Sequence, residues 1–221
     1  MVHSRPRLSK AKVLDTLLER GIVAVVRLSD GRKLRSVVEA IAAGGVNCIE
    51  ITMTVPGAIG VISDLAANAP GDVLIGAGTV LDPETALAVI RAGAEFVVSP
   101  IFNPEVIEVC KTEERACIPG CFSPTEIYTA WKAGADIIKV FPARSLTPRF
   151  LRDIAGPLPG IRLMPTGGVT IENAGEWKAA GAVAIGIGTE LLEKKAIAEG
   201  RFAELTDRAK RLVQNYHARP A

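Results

Sequence analysis

A lysine and a glutamate, each inside an apolar run, are the residues of this sequence best placed to do chemistry. Lys139 lies in DIIKVFP (136–142) and Glu50 lies in NCIEIT (47–52). Because side chains alternate between the two faces of a β-strand, both residues would point away from their apolar neighbours and towards an inner face. Burial disfavours a charged ammonium and frees the lysine amine as a nucleophile towards carbonyl groups. A nearby carboxylate would move the protons.

Each of these residues also has a purely structural interpretation. Lys139 could extend to solvent, or Lys139 and Glu50 could form an ion pair without catalysis. Histidine, the commonest general base, occurs only as His3 and His217, one near each end of the chain. We therefore expect no catalytic histidine, and the chemistry must come from lysine, carboxylate, hydroxyl or thiol groups.

The elements that would position Lys139 and Glu50 repeat along the chain. Eight short β-branched runs recur at intervals of roughly 20 to 25 residues, and each precedes a glycine or proline and a helical pattern. Such repeats are typical of an α/β protein of the (β/α)8 TIM-barrel class. An open doubly wound sheet is disfavoured because no strand precedes a GxGxxG turn. The predicted strands are 21–27, 47–52, 72–79, 95–100, 116–120, 136–142, 161–168 and 182–188.

Helix signals complete the predicted architecture. An extra N-terminal helix from about Ser9 to Arg20 would precede the first strand, and a helix near Arg201 to Tyr216 would end the chain. Asp82 before Pro83 is a predicted helix N-cap, and SPTE at 123–126 is a predicted capping box. We expect residues 1–8 to be a disordered tail and residues 9–221 to form a single barrel domain.

Composition favours a small-molecule partner. The 221 residues are 48% hydrophobic and 23% charged with a net charge of +2, so no field favours nucleic acid or a membrane surface. No apolar run is long enough to cross a membrane and the N-terminus lacks the core of a secretory signal, which predicts a cytoplasmic protein. The four cysteines include no CxxC pair and match no zinc or redox spacing, so we expect buried reduced thiols. We expect no cofactor.

Polar residues at the carboxyl ends of the predicted strands are the candidates for a site, because barrels bind their substrates at that end. Glycine-rich PTGG and GIGT close the last two strands, where backbone N–H groups and a helix N-terminus often bind phosphate. The glycines could instead only shape tight turns. The strand-end candidates are Arg27, Glu50, Thr52, Thr79, Ser99, Lys139, Thr166 and Thr189.

Together these motifs resemble one known family. EIT (50–52), GAGTV (76–80), SP (99–100), PG (119–120), SPTE (123–126), IKVFPA (138–143), PTGGV (165–169) and GIGTELL (186–192) occur in the order seen in 2-keto-3-deoxy-6-phosphogluconate (KDPG) aldolase and its 4-hydroxy-2-oxoglutarate aldolase relatives. The resemblance implies a class I aldolase of the Entner–Doudoroff pathway, a homotrimer of (β/α)8 barrels that needs no metal. Such an enzyme cleaves KDPG to pyruvate and glyceraldehyde 3-phosphate.

The resemblance also assigns roles to residues of this chain. Lys139 would form the Schiff base and Glu50 would be the general acid and base. Many family members have an arginine at the position of Thr54, and Arg27 is the substitute that we expect to contact the substrate carboxylate. Candidate substrate-binding residues are Arg27, Thr52, Thr79, Pro100, Phe141 and Thr166, and candidate phosphate-binding residues are Gly167, Gly168, Gly188 and Thr189.

Several alternatives remain open at this point. Within the family, the substrate could be 4-hydroxy-2-oxoglutarate or the galactonate epimer of KDPG. Outside it, a phosphosugar isomerase or epimerase barrel would use the same phosphate loops without a lysine adduct. A non-catalytic binding barrel would carry Lys139 and Glu50 as an inert pair.

Overall fold

The structure, a computed structural model, describes residues 7–28, 33–70 and 72–218. It is an α/β fold in which parallel strands alternate with helices. The strands are β1 (Ile22–Val26), β2 (Cys48–Thr52), β3 (Leu74–Gly78), β4 (Phe96–Val98), β5 (Ala116–Ile118), β6 (Gly120–Cys121), β7 (Ile138–Val140), β8 (Leu163–Pro165) and β9 (Ile185–Ile187). His3 and most of the predicted tail at 1–8 lie outside the described residues.

Helices follow most of the strands, and one helix precedes β1. The helices are α1 (Lys10–Arg20), α2 (Leu34–Ala43), α3 (Ala58–Asn68), α4 (Pro83–Arg91), α5 (Pro104–Thr112), α6 (Pro124–Lys132), α7 (Pro148–Ala155), α8 (Ala174–Ala179), α9 (Lys194–Glu199) and α10 (Phe202–His217). Both predicted caps are confirmed. Asp82 accepts a hydrogen bond from the Thr85 amide, and Ser123 forms a capping box with Glu126.

The strands form two hydrogen-bonded groups. One has the order β5-β4-β3-β2-β1-β9 and the other has the order β6-β7-β8. The predicted single strand 116–120 is divided into β5 and β6 because Pro119 lies between them and has no N–H to donate. At the other junction, Thr166 bridges to Gly186, and the Val183 amide donates to the Leu163 carbonyl at 3.0 Å.

Two layers of apolar side chains flank the strands. The outer layer fills the space between strands and helices. The inner layer is a separate cluster, to which Val13 and Leu17 of α1 contribute. Its strand-side members are Val23, Cys48, Leu74, Phe96, Val98, Ala116, Ile118, Ile137, Met164 and Ala184. Alternate residues of the strands therefore share one inner space, and α1 covers one end of it.

Polar contacts attach the N-terminal segment at that end. Ser9 caps α1, Lys10 forms an ion pair of 2.9 Å with Asp136, and Arg115 donates to the Leu8 carbonyl at 3.0 Å. Arg7 donates to the Ile90 carbonyl at 3.0 Å. These bonds hold α1 against the strand ends opposite to those that carry the candidate site.

The four cysteines are free and buried, as the sequence predicts. Burial raises the pKa of the Cys48 thiol to about 12, which makes it an inert member of the inner cluster. No described helix combines the length and the apolar character needed to cross a membrane. Within the described residues, no three His, Cys, Asp or Glu side chains are grouped to hold a metal ion.

Candidate active site

Lys139 of β7 and Glu50 of β2 lie close together in the inner space. Lys139 is 1% exposed and Glu50 is 0% exposed. The Lys139 Nζ lies 3.9 Å from Glu50 Oε1 and 5.2 Å from the centroid of the Phe141 ring. Neither carboxylate oxygen of Glu50 has a hydrogen-bond partner among the described residues. The pair thus places an amine and a carboxylate without hydrogen-bond partners in a site shielded from water. Burying such groups costs free energy, and a catalytic role is one reason that a fold retains them.

Gly78 makes room for the Glu50 carboxylate. It ends β3, in register with Thr52 of the neighbouring strand. A Cβ atom at position 78 would overlap the Oε1, Cδ and Cγ atoms of Glu50. The sequence analysis did not single out this residue, although a glycine inside a strand often marks a close approach.

Thr79, directly after Gly78, has an unusual backbone. Its φ of 58° lies in the left-handed region, which a β-branched residue rarely adopts. Such conformations concentrate at functional sites, where the surrounding structure enforces them. Thr79 follows β3 at the same end of the strands as the candidate site residues of the other strands.

Two other candidate substrate-binding residues, Thr52 and Pro100, lie at or just after the carboxyl ends of their strands. Thr52 is buried, and its hydroxyl donates to the Val26 carbonyl at 3.2 Å and pairs with the Thr54 hydroxyl at 2.7 Å. Pro100 follows β4, and its carbonyl group closely approaches Gly120. Thr54 is exposed.

A cavity of about 380 Å³ opens beside the Lys139–Glu50 pair. Seven of the predicted site residues line it: Arg27, Phe141, Thr166, Gly167, Gly168, Gly188 and Thr189. Thr52, Thr79 and Pro100 do not line it, and neither do Lys139 and Glu50. Phe141 connects the two regions, because its ring lies near the Lys139 amine and also forms part of the cavity wall.

A larger surface groove of about 570 Å³ runs along α7, α8 and the end of α10. None of the predicted site residues lines it. His217, at the end of α10, pairs with Lys178 at 3.1 Å instead of facing the cavity. The predicted site residues that line one of these two cavities therefore all line the smaller one.

Comparison with known proteins agrees with this arrangement. A sequence profile described as KDPG and KHG aldolase matches residues 13–208. The chain belongs to this family. A curated relative, the 2-dehydro-3-deoxy-phosphogluconate aldolase of Pseudomonas aeruginosa, is 34% identical over 209 residues, which cover 94% of each chain. The 2-dehydro-3-deoxy-6-phosphogalactonate aldolase of Escherichia coli is 35% identical over 172 residues, 77% of this chain and 83% of that protein.

A solved structure extends the comparison to the chemistry of a relative. It is a KDPG aldolase from Legionella pneumophila with pyruvate captured as a covalent carbinolamine intermediate. The two chains superpose with a TM-score of 0.81 at 27% identity, covering 90% of this chain and 97% of that one.

The glycine loops of this family member offer free backbone donors. Within the described part of the chain, no backbone or side-chain group accepts a hydrogen bond from the amides of Gly168 and Thr189. The Thr166 hydroxyl is also buried and has no partner there. These donors surround the cavity, so an anion bound in it would satisfy them.

The N-terminus of α9, the helix that follows β9, has no free amide at Lys195 or Ala196. The Glu193 carboxylate already accepts hydrogen bonds from the amides of Lys195 and Ala196. These bonds hold the pKa of Glu193 below its ordinary value. The first turn of α9 is thus occupied by the protein's own carboxylate.

Two basic residues that the sequence analysis missed also line the cavity. Arg144 lies three residues after Phe141, in a short 3-10 helix (Ala143–Ser145), and Lys194 begins α9. Both follow motifs that were recognised, but neither lies in a strand, so strand alternation gave no information about their direction.

Proposed function

We propose that this protein is a class I aldolase that cleaves KDPG to pyruvate and glyceraldehyde 3-phosphate through a Schiff base on Lys139. The observation that carries the proposal is the buried amine of Lys139, 3.9 Å from the Glu50 carboxylate. Family membership and the relatives named KDPG aldolase support the substrate. No metal or cofactor enters this chemistry, and the reaction belongs to the Entner–Doudoroff pathway.

In the proposed mechanism, the Lys139 amine adds to the C2 carbonyl of the substrate. Loss of water gives an iminium, which accepts the electron pair of the C3–C4 bond as that bond breaks. Glu50 takes the proton of the C4 hydroxyl, directly or through a water molecule, and glyceraldehyde 3-phosphate leaves. Protonation of the remaining enamine at C3 and hydrolysis of the imine release pyruvate and restore the lysine.

The other predicted residues would orient the substrate around this bond. Thr79, Pro100 and Phe141 would surround the pyruvate half, with Thr52 fixed beside them. Arg27 would contact the carboxylate in place of the arginine that Thr54 replaces. Support comes from the position of Arg27 on the cavity wall and from the left-handed backbone of Thr79. Thr166 would contact a substrate hydroxyl, and the phosphate would bind at Gly167, Gly168, Gly188 and Thr189.

Borohydride reduction in the presence of pyruvate tests the central step. The unsubstituted protein should gain the mass of a reduced pyruvate adduct on Lys139, and Lys139→Ala should gain none. Glu50→Gln should still form the adduct but lose turnover by about 10²- to 10⁴-fold, the usual contribution of proton transfer. Equal trapping by Lys139→Ala would mean that another amine reacts. A chain without any pyruvate-dependent adduct would instead fit an isomerase or a binding barrel.

The choice among substrates of the family is a separate question. The relatives include an aldolase named for the phosphogalactonate epimer and others named KHG/KDPG aldolase. A coupled assay of pyruvate release should compare KDPG, its galactonate epimer and 4-hydroxy-2-oxoglutarate. The proposal expects the highest kcat/KM for KDPG.

The proposal includes a closed eight-stranded barrel formed by a single domain over 9–221, with α1 as an extra N-terminal helix. The inner cluster supports closure because it contains side chains from, or directly before, every strand except β6. The bridge between Thr166 and Gly186 joins the groups on one side. On the other side, β5 and β6 are separated only by Pro119, and counting them as one strand gives eight strands in total.

We also infer that the enzyme is a cytoplasmic homotrimer. Exposed apolar side chains follow β3, β4 and β6, namely Leu81, Ile101 and Phe122. Exposed apolar side chains near the same ends of neighbouring strands suit contact with another copy. Light scattering should give three times the mass of one chain, and Leu81→Asp with Phe122→Asp should reduce it to that of one chain.

A further inference from the structure

The cavity next to Lys139 has a strongly basic wall. Its lining includes Arg27, Arg144 and Lys194, and no acidic residue is among the lining residues. Within the described ranges, no carboxylate forms a salt bridge with Arg144 or Lys194. Two cations without a salt-bridge partner in the lining of one cavity favour an anionic ligand group there.

Arg144 is placed by its backbone rather than by chance exposure. The amide of Ala143 donates to the Thr166 carbonyl at 2.9 Å, which ties the short 3-10 helix to the end of β8. A Cβ atom at Gly168 would lie only 2.6 Å from the Cα of Arg144, so the two backbones are in direct contact. Gly168 has a φ of 107°, which a side chain at that position would oppose. The Arg144 backbone thus lies beside Gly168, whose amide is unpaired among the described residues.

Lys194 is the second basic residue of the cavity lining without a salt bridge in the described ranges. It is the first residue of α9, whose first turn is fixed by the hydrogen bonds of the Glu193 carboxylate to the helix amides. Those bonds direct the acidic group into the helix end, and the Lys194 side chain lines the cavity. The turn therefore presents a positive charge to the cavity while its negative charge is hydrogen-bonded elsewhere.

The unpaired donors at the same place indicate what kind of anion would fit. The amides of Gly168 and Thr189 and the buried Thr166 hydroxyl have no partner among the described residues. A phosphate offers several acceptor oxygens and nearly two negative charges, so it can satisfy amides and two cations at once. A carboxylate has fewer oxygens and a single charge.

KDPG and 4-hydroxy-2-oxoglutarate also differ in the distance between the C2 carbonyl and the second anionic group. The Phe141 ring lies 5.2 Å from the Lys139 amine and also lines the cavity, so a chain bonded at Lys139 passes this ring on its way to the basic wall. In a six-carbon phosphorylated acid, the phosphate is four carbons beyond the C2 carbonyl. In 4-hydroxy-2-oxoglutarate, the second carboxylate is attached to C4 and therefore lies closer to C2 than the phosphate of KDPG does.

We propose that Arg144 and Lys194 bind the terminal phosphate and make this chain selective for phosphorylated 2-oxo acids over 4-hydroxy-2-oxoglutarate. This inference rests on the proposed aldolase function and specifies its substrate class. Neither residue takes part in bond making or breaking.

The test compares kcat/KM for KDPG and for 4-hydroxy-2-oxoglutarate in Arg144→Gln, Lys194→Gln and the double variant. Each single substitution should lower kcat/KM for KDPG by about 10- to 100-fold, the effect of losing one hydrogen bond to a charged group, mainly through KM. The value for 4-hydroxy-2-oxoglutarate should stay close to that of the unsubstituted protein. Matched controls are Lys195→Gln and Arg149→Gln, which remove one exposed positive charge each without touching the cavity lining.

An unchanged ratio of the two kcat/KM values, or an equal loss for both substrates, would overturn the inference. Failure of the proposed function has a different signature, because the unsubstituted protein would then release no pyruvate from either substrate. Calorimetric titration with inorganic phosphate decides the inference in that case too. Binding that is lost in the double variant and kept in both controls supports it, whereas binding that the double variant retains, or no binding at all, contradicts it.

Discussion

Replacing Gly78 by alanine tests whether the position of the Glu50 carboxylate matters for turnover. Gly78 is the last residue of β3 and has the extended backbone of a strand, so alanine is compatible with its conformation. The added methyl group would overlap the Oε1, Cδ and Cγ atoms of Glu50, and only a shift of the buried carboxylate can remove the overlap.

The size of the effect follows from that overlap. Ordinary contact requires the carboxylate to move by about 1 Å or more, and a misplacement of this size can cost about 10²-fold in rate. We therefore expect kcat to fall by at least about 10²-fold, towards the loss of about 10²- to 10⁴-fold that removal of a general acid and base causes. The added methyl group should also lower the free energy of unfolding by about 1–3 kcal/mol.

The assay is pyruvate release coupled to NADH oxidation, together with borohydride trapping by pyruvate. Trapping should persist in Gly78→Ala, because Lys139 is not displaced, and its persistence also demonstrates a folded site. Gly60→Ala on α3 is the matched control, since a Cβ atom there meets nothing within 4 Å. It should leave turnover unchanged and stabilise the helix by about 1 kcal/mol. A folded Gly78→Ala protein with the turnover of the unsubstituted protein would refute the assigned role of Glu50.

Three further substitutions test other parts of the molecule. Thr79→Gly should relieve a left-handed backbone and raise the free energy of unfolding by about 1 kcal/mol while lowering turnover, as thermal melts and kinetics would reveal. Thr166→Val removes a buried hydroxyl that has no partner among the described residues, so the free energy of unfolding should stay the same. The kcat/KM ratio of KDPG to its galactonate epimer should change by about tenfold or more. The hydrogen bonds from Thr85 hold the pKa of Asp82 below its ordinary value of 3.8, so its contribution is present above that pH and is lost as the pH falls through the lower folded-state value. Asp82→Ala should therefore cost about 1 kcal/mol at neutral pH and nothing in strong acid, as denaturant unfolding at both pH values would measure.

Much of the architecture could be predicted because burial imposes simple periods on the sequence. The alternation around Lys139 and Glu50 predicts that both side chains face inward, and in the structure both are buried within 4 Å of each other, at 3.9 Å. The capping box at Ser123 is equally local, since both of its hydrogen bonds lie within one turn. In each case, the information is contained in a few consecutive residues.

The remaining features depend on residues that are distant in the chain. Gly78 matters because Glu50, on another strand, occupies the space above it. Arg144 faces the cavity because its backbone packs on Gly168, and no local pattern encodes that contact. At α9, the Glu193 carboxylate accepts hydrogen bonds from the amides of the first turn. Whether a nearby carboxylate folds back onto a helix depends on loop geometry, which sequence spacing does not specify.

The position of α1 has a practical consequence. Val13 and Leu17 close the inner cluster on the side away from the strand ends that carry the candidate site. Solutes must therefore enter and leave by the opposite face. An affinity label could therefore be joined ahead of Leu8, and so could a carrier protein or a solid support. Such an attachment would lie on the α1 side and would not cover the end that carries the candidate site. Immobilised enzyme attached in this way should keep its turnover, whereas attachment through the loops after the strands should obstruct it.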